Sequence, residues 1–385
     1  MRADVSSSCS STTTSTTAAH NVLIFHRTRN AAVREFGFEL SLCAVLEAAG
    51  EPMARGHSEV EATPNGRSEA DATPSDGSET TPIVARQLGG GVARPGGRVL
   101  DTVIVEPGPT FDERATITSD RIPQVVIDAD LGPGRARRVT DALDCRPDRA
   151  RSIAEHAAEI GVLELERRSG HLHARQTARY PADWFGEIVG IENKPDLGTP
   201  GALETQLRTD ASLGLVDRIV LATESYVTGA HRNRIPDEVG IWRFDPDDGE
   251  LTVIRDAEHL AVADSGVEIL DRQPGRADVA IASPADKRRA RRRIAERAYG
   301  KGWRTSSFPN CGEIEPRSEH DDVHLPWCAW KNRLVDPASE CGPDCPGFDP
   351  GDPPAVDPAA DRAAASPWVA DPDGHKRDQV GLDRY

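Results

Sequence analysis

Between Arg34 and Gly50, Phe36, Leu40, Cys43 and Leu46 recur at helical spacing and the run stops on glycine. This pattern predicts an amphipathic helix that carries Glu35 and Glu39. Gly97–Gly108 is a β-rich apolar run closed by Pro-Gly, and it predicts a strand containing Asp101. Ile188–Lys194 predicts a second strand, Pro200–Gly214 a helix carrying Gln206, and Ile219–Thr223 a third strand. Strand, helix and strand at this spacing make a βαβ crossover, so the two strands should be parallel. Val239–Phe244 and Leu251–Ile254, separated by Asp-Asp-Gly, predict a hairpin. The fold class is therefore α/β, with a mixed sheet flanked by helices.

Other stretches do not belong to that sheet. Residues 1–32 have no periodicity and read as a disordered leader. Residues 51–82 repeat a decapeptide (Ser58-Glu-Val-Glu-Ala-Thr-Pro, Ser68-Glu-Ala-Asp-Ala-Thr-Pro, Ser78-Glu-Thr-Thr-Pro) with too little apolar content for a core. They read as a disordered insertion in the first part of the body, 33–111. Residues 112–180 predict two helices, at 134–143 and 148–161, followed by two strands around Ser169-Gly170. That is the order of a winged-helix-like α+β insert, which can bind DNA or another protein or simply brace the sheet. The body resumes over 181–270. A basic helix and a Cys-rich region occupy 284–345, and 346–385, rich in Asp, Pro and Ala, reads as a disordered tail.

The chain of 385 residues has a formal charge of −17, and five of its 46 basic residues are lysines. Such acidity with arginine in place of lysine looks like haloarchaeal cytosolic proteins, in which acidic surface stays hydrated in concentrated salt. The global field repels phosphate, so any DNA-binding face must be local. Arg288, Arg289, Arg292 and Arg293 crowd onto the helix at 284–299 and form the candidate nucleic-acid face. No run approaches the length of a membrane span, so the expectation is a cytoplasmic protein with no membrane partner.

The candidate chemistry centres on Glu192-Asn-Lys194, at the end of its strand. Strand alternation places Gly190, Glu192 and Lys194 on one face and Val189 and Ile191 on the other. A carboxylate and an ammonium on one face, with a glycine that leaves room, suit a divalent metal and a phosphate. The same spacing also allows a plain Glu192–Lys194 ion pair.

A helix with Glu, a strand with Asp, a strand ending Glu-x-Lys, a helix with Gln and a further strand follow one another in this order. The order resembles the PD-(D/E)xK, restriction-endonuclease-like superfamily over roughly Val33 to Ile254. Arg98-Val-Leu-Asp101 and Val239-Gly-Ile-Trp-Arg-Phe resemble its RecB-type members. The resemblance implies a metal-dependent nuclease hydrolysing DNA phosphodiester bonds, with Mg²⁺ or Mn²⁺ on Asp101 and Glu192 and with Lys194 at the attacking water. It implies Gln206, and Glu39 or Glu35, near the phosphate. Asp183 stands at a more usual distance before Glu192 than Asp101 does. Asp101 is favoured because a lone carboxylate inside an apolar strand is costly unless it has a role. The alternative is a non-catalytic nuclease-fold module that binds DNA or protein through the insert.

Cys311, Cys328, Cys341 and Cys345 are a complete ligand set for structural Zn²⁺ or a [4Fe–4S] cluster. The resemblance leans towards iron. His320 or His324 can replace one cysteine, and Trp303, Trp327 and Trp330 are expected around the site.

Overall fold

Helix α1 (35–49) and the hairpin of β1 (Ile83–Gly89) and β2 (Val99–Pro107) open the folded part of the chain. The computed structural model describes residues 35–50, 81–115, 122–129, 131–177, 180–199, 201–304, 307–320 and 323–367. The leader and residues 51–80 of the decapeptide repeat lie outside the described residues, whereas Thr81 and Pro82 at its end are described, and Pro82 is buried.

After the short helix α2 (Phe111–Ala115), an inserted module begins with α3 (Gln124–Ile127), β3 (Arg137–Arg138) and α4 (Val139–Ala142). It continues with α5 (Pro147–Glu159), β4 (Leu163–Arg168) and β5 (His171–Gln176), and its sheet order is β3-β5-β4. The helix expected at 134–143 is reduced to one turn, because Arg137 and Arg138 pair with Ala174 and His173 of β5 instead. The module has its own core, built on Val126, Val139, Ala150, Ala154, Ala157 and Leu163.

The body resumes with β6 (Phe185–Asn193), α6 (Leu203–Leu213) and β7 (Arg218–Thr223). Gly214 ends α6 in the left-handed conformation, with φ of 54°. A single turn, α7 (Gly229–Arg232), leads to β8 (Gly240–Phe244) and β9 (Leu251–Arg255). The six strands form one sheet in the order β1-β2-β6-β7-β8-β9. As the crossover predicts, β6 and β7 are parallel, and β8 and β9 form the expected hairpin. A second hairpin, β10 (Gly266–Gln273) and β11 (Arg276–Ala282), turns at Pro274-Gly275 and was not anticipated from the pattern.

Helix α8 (Pro284–Lys301) is capped by Ser283, whose hydroxyl accepts the Asp286 amide. Its Ala290, Ile294, Ala295, Ala298 and Tyr299 pack with Leu203 and Leu207 of α6 on one face of the large sheet. On the opposite face Phe38, Leu40, Leu42, Cys43 and Leu46 of α1 pack on Val84, Ile104, Val189, Ile191 and Val220. The body thus has three layers, and both faces of β6 are core. The expectation that one face of β6 is left for chemistry is corrected accordingly. The space beside Gly190 is taken by Leu100 and Val216.

The C-terminal region contains β12 (Ile314–His320), β13 (Val323–Cys328), β14 (Arg333–Leu334), α9 (Pro337–Glu340) and α10 (Pro358–Ala365). Order therefore extends past residue 346. Arg362 of α10 donates to the carbonyls of Tyr299 and Gly300, and Asp361 bonds His324 at 2.8 Å, fastening part of the expected tail to the body. Among the described residues no helix is long and apolar enough to cross a membrane.

Candidate functional site

Asp101 owes its position to a break in the β1–β2 ladder. The ladder pairs Arg86 with Thr102 and Leu88 with Leu100 but passes over Gln87 and Asp101 between them. Gln87 has φ of 54°, a strained value for a residue with a side chain, costing on the order of 1 kcal/mol. Alternation fails at the same level, since Ala85 and Leu88, like Leu100 and Val103, stand three apart yet enter the same apolar cluster. The carboxylate of Asp101 is thereby held at the exit of β6, where Oδ2 accepts the Asn193 amide at 3.0 Å.

Glu192 sits one residue earlier on β6 and is buried. Its Oε2 lies 2.6 Å from Nη2 of Arg98, and the same nitrogen lies 2.7 Å from Oδ2 of Asp210 on α6. Nε of Arg98 also donates to both Asp210 oxygens, at 3.0 and 3.1 Å. One guanidinium therefore joins the start of β2, the end of β6 and helix α6. Gln206 lies half-buried on α6, one turn before Asp210 and so on the same side of the helix.

Helix α1 closes the cluster. Glu35 Oε1 holds Lys194 Nζ at 2.6 Å, and the Glu192–Lys194 ion pair is not made. Glu39 is buried, 2.5 Å from Arg86 Nε, and accepts from Gln87 Nε2 at 3.0 and 3.2 Å. Both candidate helix glutamates therefore reach the site. Lys194 is fixed through its backbone as well. Its amide donates to Ala222 at 2.9 Å, and the next carbonyl, of Pro195, accepts from Thr223 and Ser225.

The electrostatics follow from crowding. Burial, and then the charge of Asp101, push Glu192 up to about 7, with Arg98 offsetting part of the rise. Burial also raises Asp101, against the Asn193 amide and Arg98 and with help from the charge of Glu35. Glu39 and Asp210 are raised by burial too, opposed by Arg86 and Arg98 respectively. Burial works against the charge on Arg98, but Asp210 and Glu192 outweigh it and hold the guanidinium charged. Among the described residues, Glu35, Glu39, Asp101, Glu192 and Asp210 thus face Arg86, Arg98 and Lys194. A cluster with this imbalance takes up protons or a cation. Oδ1 of Asn193, whose Nδ2 donates to Thr102 Oγ1 at 3.0 Å, is buried without a partner among the described residues.

Three of these residues carry no strong sequence signal. Arg98 is visible only as the first letter of Arg-x-x-Asp. Asp210 is one acid among 63, and Gln87 is marked only by its backbone angle. Asp183 is exposed in the turn before β6, where its carbonyl accepts the Thr110 amide, at the opposite end of the strand from Glu192.

The basic helix behaves differently from the expectation. Arg291 is bound to Asp217 at 2.7 Å and to the Leu215 carbonyl, and Arg292 stacks on Tyr180 and faces Asp128. Arg293 donates to the Gly91 carbonyl, and Arg289 pairs with Asp286. Arg288 and Arg289 are exposed, whereas Arg292 fastens α8 to the insert and Arg293 fastens it to the body. The four do not make one open face.

The four late cysteines are neighbours. Cys311, Cys328 and Cys341 share a small cluster with Phe308, Ile314 and Val335, and Cys328 Sγ accepts the Lys331 amide at 3.4 Å. Burial pushes the Cys341 thiol up to about 11, and the other three cysteines add to the rise. None of the four is in a disulfide. Among the described residues, however, no three His, Cys, Asp or Glu side chains are already arranged to hold a metal ion. His324 is engaged by Asp361, and the side chain of His320 lies outside the description. Trp303 is buried against α1 and the sheet, and Trp327 packs on the same cluster under Arg317. Trp330 abuts Gly347, two residues after Cys345.

The chain matches the family of unknown function DUF5787 over residues 83–350, well over half its length, and belongs to that family. The match takes in Asp101, Glu192, Lys194 and the four cysteines but not α1. No curated protein and no solved structure matches the chain.

Proposed function

We propose that this protein is a metal-dependent nuclease acting on DNA phosphodiester bonds at the Asp101–Glu192–Lys194 cluster. The observation that carries the proposal is the convergence of those three residues with Glu35 and Glu39 at one end of the sheet. Residues 91 positions apart meet there through a strained break in the strand ladder. Strain held at a buried acidic cluster is more readily explained by chemistry than by stability.

Asp101 and Glu192 are the residues that would hold Mg²⁺ or Mn²⁺. Both are hard oxygen ligands whose mutual repulsion a divalent ion relieves. Such an ion, when bound, offsets charge on non-bridging phosphate oxygens and lowers the pKa of water. The chain's own residues supply the rest. Lys194, half-buried and tethered to Glu35, would offset the negative charge that develops on a phosphoryl group bound beside it. Gln206 offers an amide from the α6 side. Arg98 orients Glu192 and is a positioning residue. The helix, three antiparallel strands, helix and parallel strand formed by α1, β1, β2, β6, α6 and β7 support the restriction-endonuclase-like reading of the body. Zinc or a [4Fe–4S] cluster on Cys311, Cys328, Cys341 and Cys345 would staple a region with a very small apolar core.

A second reading, a nuclease-fold module that binds without cutting, is favoured by one observation. The insert's element order α3-β3-α4-α5-β4-β5, with sheet order β3-β5-β4 and a separate core, suits a winged-helix-like module. A cleavage assay with Mg²⁺ or Mn²⁺ on single-stranded, duplex and branched DNA separates the two readings.

A further inference from the structure

Arginine is distributed unevenly between the acidic body and the insert. Residues 131–176 hold nine arginines and three histidines against seven carboxylates, in a chain of net charge −17. Arg135, Arg137, Arg138, Arg146, Arg149, Arg151, Arg167 and Arg168 are all exposed. On α8, by contrast, Arg291 and Arg293 hold the body and Arg292 holds the insert. Over the whole insert, 112–180, twelve arginines and twelve carboxylates balance, so a local positive field is confined to the part from Arg135 to Arg168.

The insert also has a shaped site. A cleft of about 70 Å³ lies between the start of α4, the outer side of α5 and the tip of the β4–β5 hairpin. Arg138, Arg151, Arg167, His171 and Thr140 line it, together with Glu155. Arg138 Nη2 lies 3.1 Å from His171 Nδ1, which brings β3 and the hairpin tip together. Arg151 is paired with Asp148, in a bridge 54% and 96% exposed, and pairs that open exchange partners at little cost. Guanidinium groups from three elements converge on one concavity, a geometry suited to a phosphodiester oxygen pair.

We propose that this cleft binds the phosphate backbone of a DNA duplex, holding the substrate at a second point away from the acidic cluster. The proposal rests on the nucleic-acid reading of the protein but not on cleavage. DNA is favoured over an anionic membrane by the apolar surface. The large hydrophobic residues exposed among the described residues are Val99, Tyr226, Val253, Val267, Val279, Ile281 and Trp330, and none is on the insert. A face without an apolar anchor has little to bury in lipid. The flanking arginines extend the charge beyond one phosphate, as a polymer requires.

The test uses the full chain in EDTA, so that nothing is cut, with a fluorescein-labelled DNA duplex titrated by anisotropy across a series of KCl concentrations. Arg138→Gln/Arg151→Gln/Arg167→Gln should lose at least about tenfold in affinity, and its log–log salt slope should fall by roughly 1, near 0.9 for the one phosphate that the three guanidinium groups share. The corresponding Lys variant, which keeps the charges, should keep most of the slope. If the triple Gln variant does not fold by circular dichroism, Arg167→Glu alone should still weaken binding. Unchanged affinity and slope in a folded variant would overturn the proposal. So would binding of the parent chain to phosphatidylglycerol vesicles but not to the duplex. Loss of cleavage with this binding intact would count against the nuclease reading alone. Cleavage that persists while binding ignores the cleft would count against this site alone.

Discussion

Arg98 and Glu192 stand 94 residues apart in the chain and 2.6 Å apart in the fold. Arg98 also holds Asp210, so its removal leaves two buried carboxylates without their cation. Arg98→Met should therefore cost about 3–5 kcal/mol in a urea melt. Pairing that change with Asp210→Leu should recover part of the loss, because one of the stranded charges is gone. If Arg98→Met alone leaves the midpoint unchanged, the three-residue junction does not hold these elements together.

Glu192 gives the fold a pH signature. Its pKa is about 7 in the folded chain against an ordinary 4.5, so the folded state binds the extra proton. Its contribution to stability is present below the ordinary value and is lost as pH rises from 4.5 through 7. Glu192→Gln keeps an acceptor for Arg98 and removes the repulsion with Asp101. In urea melts the variant should be more stable than the parent at pH 8, by an amount on the order of a few kcal/mol, and the difference should shrink towards pH 5. Parallel pH profiles for the two proteins would contradict this.

How much of this could be read in the sequence depends on the range of the interaction concerned. Periodicity located α1, β2, β6, α6, β7 and the β8–β9 hairpin, because their apolar positions repeat within each element. The βαβ spacing also predicted the parallel pair. Glu192-x-Lys194 was visible as a candidate for the same local reason. The pairing of Lys194 with Glu35 was not, since it depends on where α1 packs, nor was the link from Arg98 to Asp210. The basic helix misled because composition does not distinguish an exposed arginine from one like Arg291, bound to Asp217. The Pro274-Gly275 hairpin carried a turn signal, with alternating residues on both sides.

The four cysteines yield a compositional prediction. Protein purified without oxygen should carry stoichiometric zinc or show iron–sulfur absorption, and Cys328→Ser should release the metal and lower the melting temperature. Substoichiometric zinc and iron together would mean that the four thiols are unligated.

The decapeptide repeat has neither apolar side chains enough to pack nor turn chemistry to fix it. Deleting residues 51–80 and joining the ends with a short Gly-Ser linker should change the melting temperature by less than about 2 °C, because extra loop length adds little closure entropy. A loss of several degrees would show that the repeat packs on the body.

The central claim is tested most directly by single-turnover cleavage of labelled single-stranded, duplex and branched DNA in molar KCl with Mg²⁺ or Mn²⁺. The parent chain should cut at least one substrate. Glu192→Gln and Lys194→Ala should lose activity by at least about a hundredfold while remaining folded and still binding DNA, because the barrier depends on these groups and binding is spread over many contacts. A parent chain that never cuts, or a folded Lys194→Ala that cuts at the parent's rate, would contradict the account.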